Sequence, residues 1–182
     1  MIDVELTGEG EFTTLMQESG IVSFYDACRF VATIPYARIS DRKDLSLVFH
    51  ERRGTCTSKH AFLKVLLEEQ GISDVELVLI YFKMSGATHN CLGGLFDNIN
   101  LDYIPEAHVC LKHQGKYYDF TTRYFLNIET YIMEEEVIDV ETLLAKKNQK
   151  HLEFLKAWNT SEYSNDQIWS WREDCIGLLS KQ

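Results

Sequence analysis

The spacing of apolar and polar positions in the first part of the chain predicts helices. Ser23, with Asp26 three residues later, has the form of a helix cap, and the apolar residues that follow run up to Pro35. Because a residue before proline avoids the α conformation, this helix is predicted to end before Pro35. A second, short helix is predicted over residues 44–52, with Gly54 near its end.

A third and strongly apolar helix is predicted directly after Gly54. Thr55, Thr57 and Ser58 can all cap its first turn, and Gly71 provides the signal for its end. The helix between them is rich in apolar residues and is predicted to be largely buried. Cys56 therefore falls at or just inside a helix N-terminus.

The middle of the chain changes to strand-like patterns. Residues 75–82 form a short run rich in β-branched and aromatic residues, which is typical of a central strand. Residues 85–104 lack periodicity and predict a long loop. Two short strand-like runs around Gln114 and Gly115 predict a β-hairpin. From residue 140 onward the pattern is helical again, with a polar break over residues 160–166. Helices, then strands, then helices predict an α+β fold with an antiparallel sheet.

The length of 182 residues suits one domain with a sizeable core. We therefore expect a single domain over residues 1–182, with a core at about 20–125 and a helical extension at about 140–182.

Charge and cysteine usage narrow the possible functions. A net charge of −10 argues against nucleic acid as a partner, and no basic amphipathic stretch or long apolar run suggests a membrane. The acidic run Glu134 to Glu136 predicts a solvated face or a helix start. The first residues have neither a basic leader nor an apolar segment, and five cysteines do not resemble a disulfide framework. We expect a soluble protein of the cytoplasm that needs no cofactor.

The predicted hairpin places a histidine and an acid together. If Gln114 and Gly115 form a two-residue loop, His113 pairs with Lys116, and further along His108 faces Thr121 while Cys110 faces Asp119. The side chains of His108 and Asp119 then lie on one face as diagonal neighbours, close enough for an imidazole–carboxylate hydrogen bond. A cysteine at a helix N-terminus becomes nucleophilic when such a base and its orienting acid lie near it.

The order cysteine, histidine, aspartate resembles the transglutaminase-like superfamily. The resemblance covers residues 34 to 122. It rests on the Gly-x-Cys that opens a buried helix ending in Gly71 and Ile72, and on PEAHVCLKHQGKYYDFTT, which is similar to that family's His strand, turn and Asp strand. Many members carry a large aromatic residue after the cysteine or near the histidine, where this chain has Thr57 and Val109.

The resemblance implies a papain-like fold and acyl-transfer chemistry. It makes Cys56 the nucleophile, His108 the general base and acid, and Asp119 the carboxylate that orients the histidine. Outcomes within the superfamily include transamidation, proteolysis, deglycosylation of peptides and acyl transfer to small amines. The expected substrate contains an amide, ester or thioester carbonyl, and the acidic chain favours one that is cationic or carries an amine.

Three alternatives remain open at this point. Cys56 can be a packed thiol, as Cys28 and Cys175 are expected to be inside amphipathic helices. The fold can serve as a non-catalytic binding module. A zinc site can also be assembled from pairs of cysteine and histidine: Cys56 with His60, His89 with Cys91, and His108 with Cys110. His60 itself is expected to be buried or to cap its helix, and Cys110 to pack beneath the site or to form a regulatory disulfide.

Overall fold

The computed structural model describes residues 3–122 and 129–180 and shows an α+β protein. Within those residues the helices are α1 (Glu11–Glu18), α2 (Phe24–Thr33), α3 (Leu47–His50), α4 (Cys56–Glu69), α5 (Gly93–Phe96), α6 (Val140–Trp158) and α7 (Asn165–Leu179). The strands are β1 (Glu76–Met84), β2 (Ile104–His113), β3 (Lys116–Tyr118) and β4 (Ile132–Val137). They form an antiparallel sheet in the order β3-β2-β1-β4, which confirms the predicted class.

The ends of α2 and α4 agree with the local signals in the sequence. The hydroxyl of Ser23 accepts a hydrogen bond from the N–H of Asp26, and α2 ends at Thr33, before the proline. Beyond the end of α4, Gly71 has a φ of +73°, which favours glycine, and its N–H donates to the carbonyl of Glu68.

Three local predictions need correction. The helix predicted over 44–52 is shorter, since α3 covers only Leu47–His50. The predicted loop 85–104 contains a 3-10 turn at Asn90–Leu92 and the single-turn helix α5. The acidic run Glu134 to Glu136 belongs to β4 and not to a helix start, although Glu134 and Glu135 are exposed as expected of a solvated face. Charged side chains suit β4 because it lies at the edge of the sheet.

The chain divides into two compact units. The first comprises Met1–Leu79, Val109–Phe125 and Glu136–Ala145, and the second comprises Ile80–His108, Leu126–Glu135 and Lys146–Gln182. The prediction of a single domain stays a prediction. The last residues of its predicted core and extension, 123–125 and 181–182, lie outside the described residues.

In the first unit α4 is the buried helix on which α1, α2 and α3 pack. Most side chains of α4 are buried, among them Phe62, Leu63 and Leu66, whereas Glu68 near its end is exposed. Its far end also caps α1, since the carboxylate of Glu69 accepts hydrogen bonds from the N–H groups of Phe12 and Thr13 at 3.0 and 2.7 Å. A helix held in this way fixes the position of its first residue, Cys56.

In the second unit the predicted C-terminal helices pack on an aromatic cluster. Its buried centre is formed by Ile104, Leu155 and Ile168, and all three tryptophans of the chain pack against it. A buried ion pair joins α7 to β2: the guanidinium of Arg172 donates to both oxygens of Glu106 at 2.6 Å. Although burial raises the pKa of Glu106, the opposing charge of Arg172 outweighs it and lowers this pKa to about 2.

Candidate active site

Cys56 is the first residue of α4, as the sequence predicts. Thr55 and Ser58 form a capping box around it, in which the N–H of Thr55 donates to the hydroxyl of Ser58 at 3.0 Å. The thiol is 3% exposed, and its sulfur lies 3.9 Å from the hydroxyl oxygen of Thr57. Cys56 is thus held rigidly at a helix N-terminus, where the helix dipole favours a negative charge.

Lys59, one turn along α4 from Cys56, is fully buried. Its ammonium donates hydrogen bonds to the carbonyls of Ile34 and Thr121, both at 2.7 Å. Burial lowers the pKa of Lys59 to about 8, against the opposing influence of Asp119 and Cys56, which favours the charged form. The first turn of α4 therefore contains a buried cation.

His60 occupies the next position of the helix and is also fully buried, as expected. Its Nδ1 lies 2.8 Å from the carbonyl oxygen of Cys56, and its Nε2 lies 2.8 Å from the backbone nitrogen of Phe120. A carbonyl only accepts and an N–H only donates, so Nδ1 carries the proton and Nε2 accepts. His60 therefore joins the backbone of the Cys56 residue to the segment that follows β3.

Asp119 is the first residue after β3. Its Oδ1 accepts hydrogen bonds from the N–H and hydroxyl of Thr121 at 2.8 and 2.5 Å, and it lies 3.5 Å from Nε2 of His60. The first turn of α4 and the segment from Asp119 to Thr121 are thereby held together, although they are far apart in sequence.

The hairpin has the predicted loop and register, with Leu111, Lys112 and His113 opposite Tyr118, Tyr117 and Lys116. The φ angles of Gln114 and Gly115 are +51° and +76°, as a two-residue hairpin turn requires. However, β3 ends at Tyr118, so the predicted pairs of Asp119 and Thr121 with β2 fall beyond the strand. The reason is local. The carboxylate of Asp119 accepts a hydrogen bond from the N–H of Thr121 and so turns the chain, and the N–H of Phe120 donates to His60 instead of to a neighbouring strand.

His108 lies on β2 and belongs to the second unit. It is partly buried, and its ring meets that of Phe82 edge-on with the centroids 6.1 Å apart. The ring of His89 lies 6.0 Å from the same Phe82. Burial lowers the pKa of His89, and the neighbouring His108 lowers it further. The role of His108 as the base stays a prediction from the sequence.

The other cysteines provide a contrast with Cys56. None of the five, all of which the structure describes, is in a disulfide; Cys28, Cys110 and Cys175 are buried and Cys91 is exposed. Cys28 and Cys175 are packed in the interior, as expected. Burial raises the pKa of Cys28 strongly and that of Cys175 to about 12, which disfavours the reactive thiolate. Among the described residues, no three His, Cys, Asp or Glu side chains are arranged to share a metal ion.

Sequence reasoning did not identify Lys59 as part of this site. A signal was present, because Lys59 lies within the stretch from Cys56 to Leu67 that is predicted to be largely buried. A charged residue inside such a stretch has to find partners in the interior.

Comparison with known proteins finds no matching family model, no matching curated protein and no matching solved structure. No helix in the described part of the chain has the length and apolar character needed to cross a membrane.

Proposed function

We propose that this protein is a cysteine-nucleophile acyl-transfer enzyme of the cytoplasm, with a papain-like, transglutaminase-like core. The observation that supports the proposal is the joining of the first turn of α4 to the Asp119 segment. Through Lys59 and His60, this turn bonds the backbone of residues 120 and 121. Cys56 and the acid of the predicted triad thus belong to one hydrogen-bonded cluster of the first unit.

In this reaction the thiolate of Cys56 attacks the carbonyl carbon of an amide, ester or thioester. The tetrahedral intermediate collapses to a thioester on Cys56, and the leaving amine, alcohol or thiol takes a proton from the general acid. Water or an amine then attacks the thioester and releases the thiol. The N–H of Cys56, at a helix position that has no acceptor within the helix, is the expected donor to the oxyanion.

The general base and acid that takes and returns this proton is His108, which Asp119 orients, as the resemblance implies. His60 is unsuited to this task because its Nδ1 donates to the carbonyl of Cys56 and its Nε2 accepts from Phe120. A general base needs a nitrogen that can take and return a proton at the reacting atoms. His60 therefore acts as a structural link between the nucleophile helix and the segment after β3.

The test is to trap the acyl-enzyme from a cell extract and to read the added mass on Cys56 by peptide mass spectrometry. Cys56→Ser should abolish the thioester. Cys110→Ser is the matched control: it replaces another buried cysteine and should leave the thioester on Cys56 intact. His108→Ala should slow acylation by at least about 100-fold, as loss of a general base does. An adduct that persists in Cys56→Ser, or that never forms with amide, ester or thioester donors, overturns the proposal.

A non-catalytic binding module is the second candidate. The 3% exposure of Cys56 favours it, because a packed thiol needs no reaction partner. If so, we expect Cys56→Ser to leave every cellular consequence of the protein unchanged, and Cys56 to resist iodoacetamide as the buried Cys28 and Cys175 are expected to do. Iodoacetamide labelling in a Cys91→Ser background, which removes the exposed thiol, separates the two candidates: labelling of Cys56 favours the enzyme, and resistance favours the binding module.

A further inference from the structure

We infer that Lys59 is the positioning residue that supplies the positive charge for the Cys56 thiolate. The inference rests on the proposed function, because it assigns Lys59 a role at the same nucleophile. Lys59 follows Cys56 by three positions on α4, a spacing that places two helical side chains next to each other. Both side chains are buried, so a charge on one acts strongly on the other.

The ammonium is held in one place by its hydrogen bonds. It donates to the carbonyl of Ile34, just beyond α2, and to that of Thr121, just beyond Asp119. Carbonyl oxygens stabilise the ammonium without neutralising its charge. The charge therefore stays available to the two groups that can become anionic beside it, Asp119 and Cys56.

Gly54 provides the space for the stem of Lys59. A β-carbon at Gly54 would lie 2.8 Å from Cγ of Lys59 and 3.0 Å from the hydroxyl oxygen of Ser58. The contact with Lys59 is closer than packed side chains allow, the contact with Ser58 is tight, and the buried stem of Lys59 cannot move aside easily. The glycine of the Gly-x-Cys motif is thus required by the lysine, since the φ of Gly54 is not among the positive values.

A purely structural role does not explain why this residue is a lysine. The carbonyls of Ile34 and Thr121 need hydrogen-bond donors, but a neutral amide side chain would supply them without the cost of burying a charge. Electrostatic support of a thiolate does require a cation. A neighbouring positive charge is one of the main ways in which proteins make a thiol reactive.

The charged groups that act on Lys59 come from two elements. Asp119 approaches from the segment after β3, with the ring of His60 3.5 Å from its carboxylate, and Cys56 lies on the same helix as Lys59. Asp119→Asn therefore serves as a further variant, because it removes one of these two acidic groups beside Lys59 and leaves the other, Cys56.

The experiment measures the rate of Cys56 alkylation by iodoacetamide from pH 5 to 10 in a Cys91→Ser background. Lys59→Met keeps the length of the stem and removes the charge, and we expect about tenfold slower alkylation at pH 6.5 and a midpoint shifted to higher pH. Lys64→Met is the matched control, because Lys64 lies on the same helix and bonds the carbonyl of Val75 and the carboxylate of Glu68. An unshifted midpoint in Lys59→Met overturns the inference.

If Lys59→Met does not fold, Lys59→Gln retains amide donors for the carbonyls and lacks the charge. Gly54→Ala offers an independent route, since it displaces Lys59 without changing any charge, and it should shift the midpoint in the same direction. An unshifted midpoint in Lys59→Gln, or in a folded Gly54→Ala protein, likewise contradicts the inference.

The outcome is separable from that of the acyl-enzyme test. A shifted midpoint without any acyl-enzyme supports the role of Lys59 and contradicts the proposed function. An acyl-enzyme whose nucleophile is indifferent to Lys59→Met supports the function and contradicts the role of Lys59.

Discussion

Nε2 of His60 lies 3.5 Å from Oδ1 of Asp119, and an ion pair between the two requires a second proton on the imidazole ring. The backbone N–H of Phe120 donates to Nε2 at 2.8 Å, so this nitrogen carries no proton, and the proton of the ring is on Nδ1. Taking up a second proton would break the bond to Phe120. Asp119 therefore faces a neutral imidazole, and its carboxylate is turned towards Thr121.

His60 contributes to stability as a link between two backbone groups. His60→Ala removes the partners of the Cys56 carbonyl and the Phe120 N–H, and we expect the free energy of unfolding to fall by about 3 kcal/mol. Urea denaturation measures this change. His50→Ala is the control, since His50 is exposed and its replacement should change stability by less than about 0.5 kcal/mol. Equal effects of the two substitutions would contradict the assigned role of His60.

Lys59 makes stability depend on pH in the alkaline range. Burial lowers the pKa of Lys59 from 10.5 to about 8 in the folded protein, so between these values the unfolded chain binds a proton that the native state does not. Stability therefore rises with pH in this window, and below pH 8 the charged Lys59 carries its full penalty.

The comparison of wild type with Lys59→Met isolates this contribution, because other titrating groups such as Cys28 act equally in both proteins. From pH 8 to pH 10.5 the stability of wild type should rise relative to Lys59→Met by on the order of 3 kcal/mol. Urea denaturation at a series of pH values measures it. A constant difference would show that Lys59 keeps its ordinary pKa in the native state.

The ion pair of Arg172 with Glu106 stabilises the second unit. Arg172→Met leaves the Glu106 carboxylate buried without its cation, and we expect a loss of about 3–5 kcal/mol in thermal or urea unfolding. Replacing both residues, as Glu106→Leu with Arg172→Met, should recover much of the loss. Arg29→Met is the control, because the pair of Arg29 with Asp26 is exposed.

The loss of stability at acidic pH, the acid limb of the stability curve, provides a second measure of the ion pair between Arg172 and Glu106. The folded pKa of Glu106, about 2, lies below its ordinary value of 4.5. Its contribution is therefore fully present above pH 4.5 and is lost as the pH falls through 2. Glu106→Gln should remove this part of the acid dependence, and an unchanged acid limb would contradict the assignment.

The hairpin turn can be improved at Gln114. Its φ of +51° is a left-handed conformation that asparagine tolerates better than glutamine. Gln114→Asn should raise the free energy of unfolding by about 0.5 kcal/mol, whereas Gly115→Ala, at a φ of +76°, should lower it by about 1 kcal/mol. The same sign for both substitutions would show that the turn is formed differently.

Much of the first unit could be predicted because its signals are local. Ser23, Pro35 and Gly71 each determine a helix end through backbone chemistry that acts within a few residues. The two-residue turn at Gln114 and Gly115 likewise sets the register of β2 and β3. Strand β4 was missed because three glutamates in six residues hide the alternation that identifies a strand.

The sequence by itself determined where Cys56 lies, because a helix N-terminus is encoded by its capping residues. Only the tertiary structure decided what surrounds it: the end of β3 at Tyr118, the ring of His60 between two backbone groups, and the stem of Lys59 against Gly54. The placement of His60 and Lys59 depends in part on hydrogen bonds between residues about 60 positions apart, His60 with Phe120 and Lys59 with Thr121. Such bonds leave no periodic trace along the chain, since they form only once the core has brought the segments together.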